Sequence, residues 1–156
     1  MHVLQWVAVE AVSKDGAEYR VQSMLDNGFF DWSDWAEIGG RWSDEEHGNV
    51  ISIKDEPARA SEVIEKAMEN RRNEVKDLLK DIDVDGVISW VEDVVATGQE
   101  SYNHEAMELK MALGTALGDN NYDSYFYDAG ALSTSPQFVL DGTSASNYLV
   151  AVDFHY

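Results

Sequence analysis

At 156 residues with no cysteine, the chain is the size of one domain, and it excludes disulfides, thiolate metal centres and a cysteine nucleophile. A hydrophobic fraction of 44% with five Trp excludes a disordered chain. The formal charge of −19 is weighted to the second half, where residues 81–156 carry thirteen carboxylates against Lys110 alone; such a surface repels phosphates, so direct nucleic-acid binding is not expected.

Residues 2–12 alternate imperfectly and are rich in Val, which predicts a strand. Asp15-Gly16 reads as a turn. Ala17, Val21, Met24 and Leu25 then mark a helix over 16–27, with Gly28 as its stop. An aromatic block covers 29–42, and 49–54 reads as a short strand. Pro57 suits the first turn of a helix, and the spacing from Ala60 to Leu79 carries it amphipathically to about Lys80. A shorter helix is expected over about 84–97, ending near Gly98 and burying Val87, Ile88, Val91, Val94 and Val95. Another is expected over about 103–118, with Asn103 as its N-cap. Residues 125–127, 137–140 and 147–156 have strand character. This order predicts a single α+β domain over 1–156. Its sheet is mainly antiparallel, with the N- and C-terminal strands adjacent at the centre and about four helices packed on one face.

Residues Asp81 to Glu92 match the calcium-loop pattern D-x-[DN]-x-[DN]-G-x5-E at every fixed position. In that reading Asp81, Asp83, Asp85, Val87, Ser89 and Glu92 hold Ca²⁺, and Gly86 makes the sharp turn. Ile82 and Val84, however, stand where such loops are usually polar. The competing reading makes Asp83 or Asp85 the N-cap of the following helix. Asp119, Asn121 and Asp123 form a weaker echo. There Ser124 and Gly130 replace the Gly and the Glu, and the segment reads as an Asp/Asn-rich turn.

Three origins of the acidity stand open. A halophilic source would use dense carboxylates to keep the chain hydrated and soluble. A mimic of nucleic acid would carry them to occupy a basic groove on a host DNA-binding or defence protein. A cation-binding protein would use them as ligands.

Trp32, Trp35 and Trp42 cluster with Asp31, Asp34 and Arg41, and Gly39-Gly40 permits a tight turn between them. One reading is a small aromatic core in which Arg41 is at least partly buried against Asp31, Asp34 or Asp153. The other is a recognition pocket with aromatic walls, an Arg for an anionic group and acidic residues for orientation. In the closing segment, Asp153 and His155 stand two apart on a strand and so share a face, as a base and its orienting carboxylate could. No Ser, Cys or Thr nucleophile is identifiable beside them, and the chain carries no P-loop, GxGxxG or GxSxG.

The run Asp34-Trp35-Ala36-Glu37-Ile38-Gly39-Gly40-Arg41-Trp42, with Val152-Asp153-Phe154-His155 near the C-terminus, resembles the DWxxIGGRW motif and closing VDxH strand of small uncharacterised proteins encoded by tailed phages and related viruses. The resemblance covers about a tenth of the chain and brings no biochemical activity. It implies a viral or prophage origin and points to Gly39, Gly40, Arg41, Trp42, Asp153 and His155. The expected function is a non-enzymatic accessory or interaction protein with a host or viral protein partner. The chain lacks a basic leader and an apolar run of the ~18 residues a membrane span needs, so the expected location is the host cytoplasm or the virion. A calcium-binding protein and an acidic nucleic-acid mimic are the alternatives.

Overall fold

Along the first strand, β1 (His2–Val9), Trp6 and Ala8 point to one side and Val7 and Val9 to the other, so both faces are apolar and both need cover. The computed structural model describes residues 2–31, 33–44, 46–99, 101–117 and 125–155. After β1 come α1 (Lys14–Asp26), β2 (Trp35–Ile38), a 3₁₀ turn (Gly40–Trp42), β3 (Val50–Ser52), α2 (Pro57–Leu79), α3 (Val84–Thr97), α4 (His104–Leu117), β4 (Phe126–Asp128), α5 (Gln137–Leu140) and β5 (Tyr148–His155).

The fold is a single α+β domain around a mixed, mostly antiparallel sheet of five strands in the order β2-β5-β1-β4, with β3 also on β5. The first and last strands form the centre, in antiparallel register from His2 opposite His155 to Val9 opposite Tyr148. The parallel strand β4 closes the far edge, with Trp6 opposite Phe126. Among the described residues no helix is long and apolar enough to cross a membrane.

Helices cover the sheet on two faces rather than the one expected. On one side α2 lays Ala60, Ile64 and Ala67 over Trp6, Ala8, Phe126, Leu149 and Ala151. On the other α1 lays Ala17 and Val21 over Val7, Val9, Val150, Val152 and Phe154. A sheet whose central strands are apolar on both faces is stable only when both are removed from water. The helix α4 packs on α2 rather than on the sheet, whereas α3 makes only glancing contact with the other elements.

Helix ends follow their local chemistry. Ser13 caps α1 by accepting from the Gly16 N–H at 3.1 Å, so Asp15 and Gly16 lie inside the first turn rather than in a separate turn. Asn103 accepts from the Ala106 N–H at 2.8 Å ahead of α4. Gly98 ends α3 at φ 67°. Residues 137–140, read as a strand, form the single-turn helix α5. Pro136 starts a turn and its carbonyl accepts from the N–H groups of Val139 and Leu140 at 3.1 and 2.9 Å. The Asp119-Asn121-Asp123 echo lies outside the described residues.

Candidate functional site

Strands β2 and β3 are two pieces of one edge strand. Ile38 pairs with Val152 and Val50 with Val150, so residues 39–49 leave the ladder opposite a single residue, Ala151. The Ala151 carbonyl accepts from the Gly39 N–H and its own N–H donates to the Asn49 carbonyl, both at 2.9 Å. The excursion is therefore anchored at both ends by one residue of β5. The double glycine is what lets it start. Gly39 has φ 74°, and a β-carbon there would stand 2.4 Å from the Asn49 side-chain nitrogen. Gly40 has φ 50°, and its β-carbon would stand 2.4 Å from the Asp153 β-carbon.

The two sequence motifs thus meet at Asp153, which is fully buried. Its Oδ2 accepts from the Arg41 backbone N–H at 3.0 Å, and its Oδ1 lies 2.9 Å from His2 Nδ1. A buried carboxylate needs such partners, and a backbone N–H and an imidazole supply them. The Asp153–His155 pair that the sequence allows is not made. Although the two share a face, His2, opposite His155 on the neighbouring strand, reaches across and takes the carboxylate. His155 instead stacks on Trp35 with rings 6° from parallel and 5.8 Å apart, and its Nδ1 lies 3.5 Å from Asp34 Oδ2. His2 meets both rings edge-on, 5.5 Å from Trp35 and 4.9 Å from His155.

Arg41 corrects a second expectation. Its side chain is exposed, and among the described residues no carboxylate pairs with its guanidinium. The 3₁₀ turn aims the Arg41 N–H at the buried carboxylate, which leaves its side chain directed outward. The aromatic core with a buried Arg–Asp pair is therefore not formed by Arg41; Asp31 and Asp34 are exposed as well. Trp32 lies outside the described residues.

The excursion and α2 enclose a cleft of about 570 Å³. Trp6 and Ala151 form its floor, Trp42, Asp44 and His47 one wall, and Arg59 and Glu62 the other. Trp42 stands at the rim, 38% exposed, while Trp6 is 9% exposed. Arg59 staples the far end of the excursion to α2. It donates to the carbonyls of His47 and Gly48 at 3.0 and 2.8 Å, and to Glu56 Oε1 at 3.2 Å. Asp44 turns the chain beneath it by accepting from the Glu46 and His47 N–H groups. Those bonds, the one from the His47 backbone foremost, hold its carboxyl below the usual range. Arg59 also lies 3.5 Å from Asp44 Oδ2, which joins that wall to α2, and the cleft presents an indole-lined surface edged by the exposed carboxylate of Glu62. Sequence reading found Trp42 but missed Trp6, Arg59 and Glu62. They come from β1 and from α2, and only an Arg and a Glu one helical turn apart hinted at a shared face.

The Asp81–Glu92 segment does not take a calcium-loop conformation. Residues 84–97 are helical, Asp83 caps them by accepting from the Gly86 N–H at 3.1 Å, and Glu92 lies on the helix beyond its second turn. Asp81, Asp83 and Asp85 are exposed, with Val87 buried. Among the described residues no three His, Asp or Glu side chains converge as a metal-holding group. The polar residues that loop positions 2 and 4 require are Ile82 and Val84 here, and the backbone follows the N-cap alternative instead.

Comparison with protein-family models, with characterised proteins and with solved structures gives no match to any of them.

Proposed function

We propose that this chain is a virus- or prophage-encoded accessory protein that acts by binding a protein partner, and that the cleft between the 39–49 excursion and α2 receives a cationic side chain of that partner. One observation carries the reading. The cleft sets the indoles of Trp6 and Trp42 beside the exposed carboxylate of Glu62, while Arg59, which also lines it, is engaged by backbone carbonyls, Glu56 and Asp44. An ammonium or guanidinium gains from an aromatic face and from a nearby carboxylate together. The motif residues support the same division of labour. Gly39, Gly40 and Asp153 hold the excursion in place, and Arg41 and Trp42 are left at the surface.

The test is affinity capture from infected host cells with the protein and its Trp42→Ala and Glu62→Gln variants. A protein recovered by the parent and lost with both variants supports the reading. Equal recovery by all three moves the interface elsewhere. Recovery of nothing, together with turnover of a small molecule by the pure protein, sinks the binding function. The viral origin is checked separately by sequencing the DNA that flanks the coding region; flanks free of viral genes count against it.

A further inference from the structure

The helix α3 is built for burial and is not buried. Of its fourteen residues only Val87 is buried. Val84, Ile88, Val91 and Val95 recur at helical spacing along one stripe, and they are 55%, 51%, 45% and 80% exposed. The sequence expectation that Ile88, Val91 and Val95 face the core is thereby overturned. Trp90 is tied by its indole N–H to the Ser101 carbonyl and hydroxyl, both at 3.1 Å, which anchors the helix to the chain that directly follows it. An isolated helix of this length is marginal in water, and β-branched residues lower its propensity further. A Val-rich helix with its apolar stripe open is one that gains stability when something covers the stripe.

The charge around the stripe selects the occupant. Asp85 and Glu92 fall along its edge on the helical wheel, Asp81 and Asp83 precede it, and residues 81–103 contain no Lys, Arg or His. A second copy would bring the same carboxylates against these, so like charges would oppose that pairing. We propose that α3 is the docking face for an amphipathic helix of a partner protein whose apolar stripe is edged by Lys or Arg. Apolar residues of the partner cover Val84, Ile88, Val91 and Val95, and its basic edge meets Asp85 and Glu92. This surface is separate from the cleft, and the inference does not rest on that reading.

The probe is a fourteen-residue acetylated peptide of Leu and Lys with its leucines at three- and four-residue spacing. The control has the same composition in strict alternation. Binding to the full chain is followed by calorimetry and by tryptophan fluorescence. The amphipathic peptide is expected to bind saturably, and the alternating one about tenfold or more weaker. The double substitution I88S/V95S should weaken binding by about tenfold or more by removing the apolar contact. D85N/E92Q should weaken it a few-fold and flatten its salt dependence. Circular dichroism of both variants must match the parent, so that lost binding is not lost helix. Equal binding of the two peptides, or unchanged binding by I88S/V95S, would show attraction to net charge alone and overturn the proposal. So would a parent dimer in light scattering that I88S/V95S breaks, which would assign the stripe to a second copy. None of the substituted residues lines the cleft, so failure here leaves the cleft reading untouched.

Discussion

Gly40 and Asp153 approach so closely that a β-carbon on the glycine would stand 2.4 Å from the β-carbon of the aspartate. The contact joins two motifs more than a hundred residues apart in the chain, and it makes the glycine a packing requirement as well as a conformational one. Gly40→Ala should therefore lose roughly 3 kcal/mol, from left-handed backbone strain plus displacement of a buried side chain. Gly28 also has positive φ, at 68°, but faces open space, so Gly28→Ala should lose only about 1 kcal/mol. Urea unfolding of the two variants separates the effects. Equal losses would mean that conformation alone demands the glycine.

The same carboxylate ranks the residues of the motif. Asp153→Ala strands the part-buried Arg41 N–H, takes the carboxylate from His2 and costs roughly 2–4 kcal/mol. Arg41→Ala keeps that N–H and removes only an exposed side chain, so its stability should stay within about 0.5 kcal/mol of the parent. A large loss in Arg41→Ala would mean that its guanidinium holds the fold after all.

Asp83 and Glu92 discriminate a helix cap from an ion loop. Asp83→Ala removes the acceptor for the Gly86 N–H and should cost about 1 kcal/mol. Glu92→Gln alters an exposed position on the helix and should change stability by less than about 0.5 kcal/mol. Titration with Ca²⁺ in low-salt buffer, followed by tryptophan fluorescence, should give no saturable change. A saturable change lost in Glu92→Gln would restore the calcium reading.

Glu56 gives the fold an acid-sensitive joint. Its carboxylate accepts from Lys14 Nζ at 2.6 Å, from the Ser52 N–H at 3.1 Å and from Arg59 at 3.2 Å, which ties α1, β3 and α2 together. Lys14 foremost, then the Ser52 N–H and Arg59, lower its pKa from the ordinary 4.5 to about 2. The folded carboxyl is thus the stronger acid. Its contribution is complete above pH 4.5 and is lost as the pH falls from there toward 2. Solvent at the half-exposed Lys14 end screens the pair, so the contribution is roughly 1 kcal/mol. Glu56→Gln should be less stable than the parent by about that amount at pH 7, and the gap should narrow steadily between pH 4.5 and 2. A gap independent of pH would remove the ion pair from the explanation.

Local chemistry determined much of this protein. The alternation of β1, the Pro at the start of α2, the Asn103 and Gly98 boundaries and the valine-rich closing strand are short-range signals, because caps and side-chain periodicity act within a turn or a strand. They sufficed for the α+β class and for the pairing of the terminal strands. What the sequence could not decide was which faces are covered and which groups meet. The helical spacing of α3 is the same whether its stripe is packed or open, and only the tertiary arrangement leaves Ile88 and Val95 in water. Asp153 stands two residues from His155, yet it pairs with His2 from the other end of the chain, because register across a sheet brings side chains within hydrogen-bond reach. Arg41 looked trapped between glycines and a tryptophan. The backbone turn those glycines permit sent its N–H inward and its side chain out. The cleft combines Trp6 of β1, Trp42 of the excursion and Glu62 of α2, and no spacing along the chain encodes a site assembled from three elements.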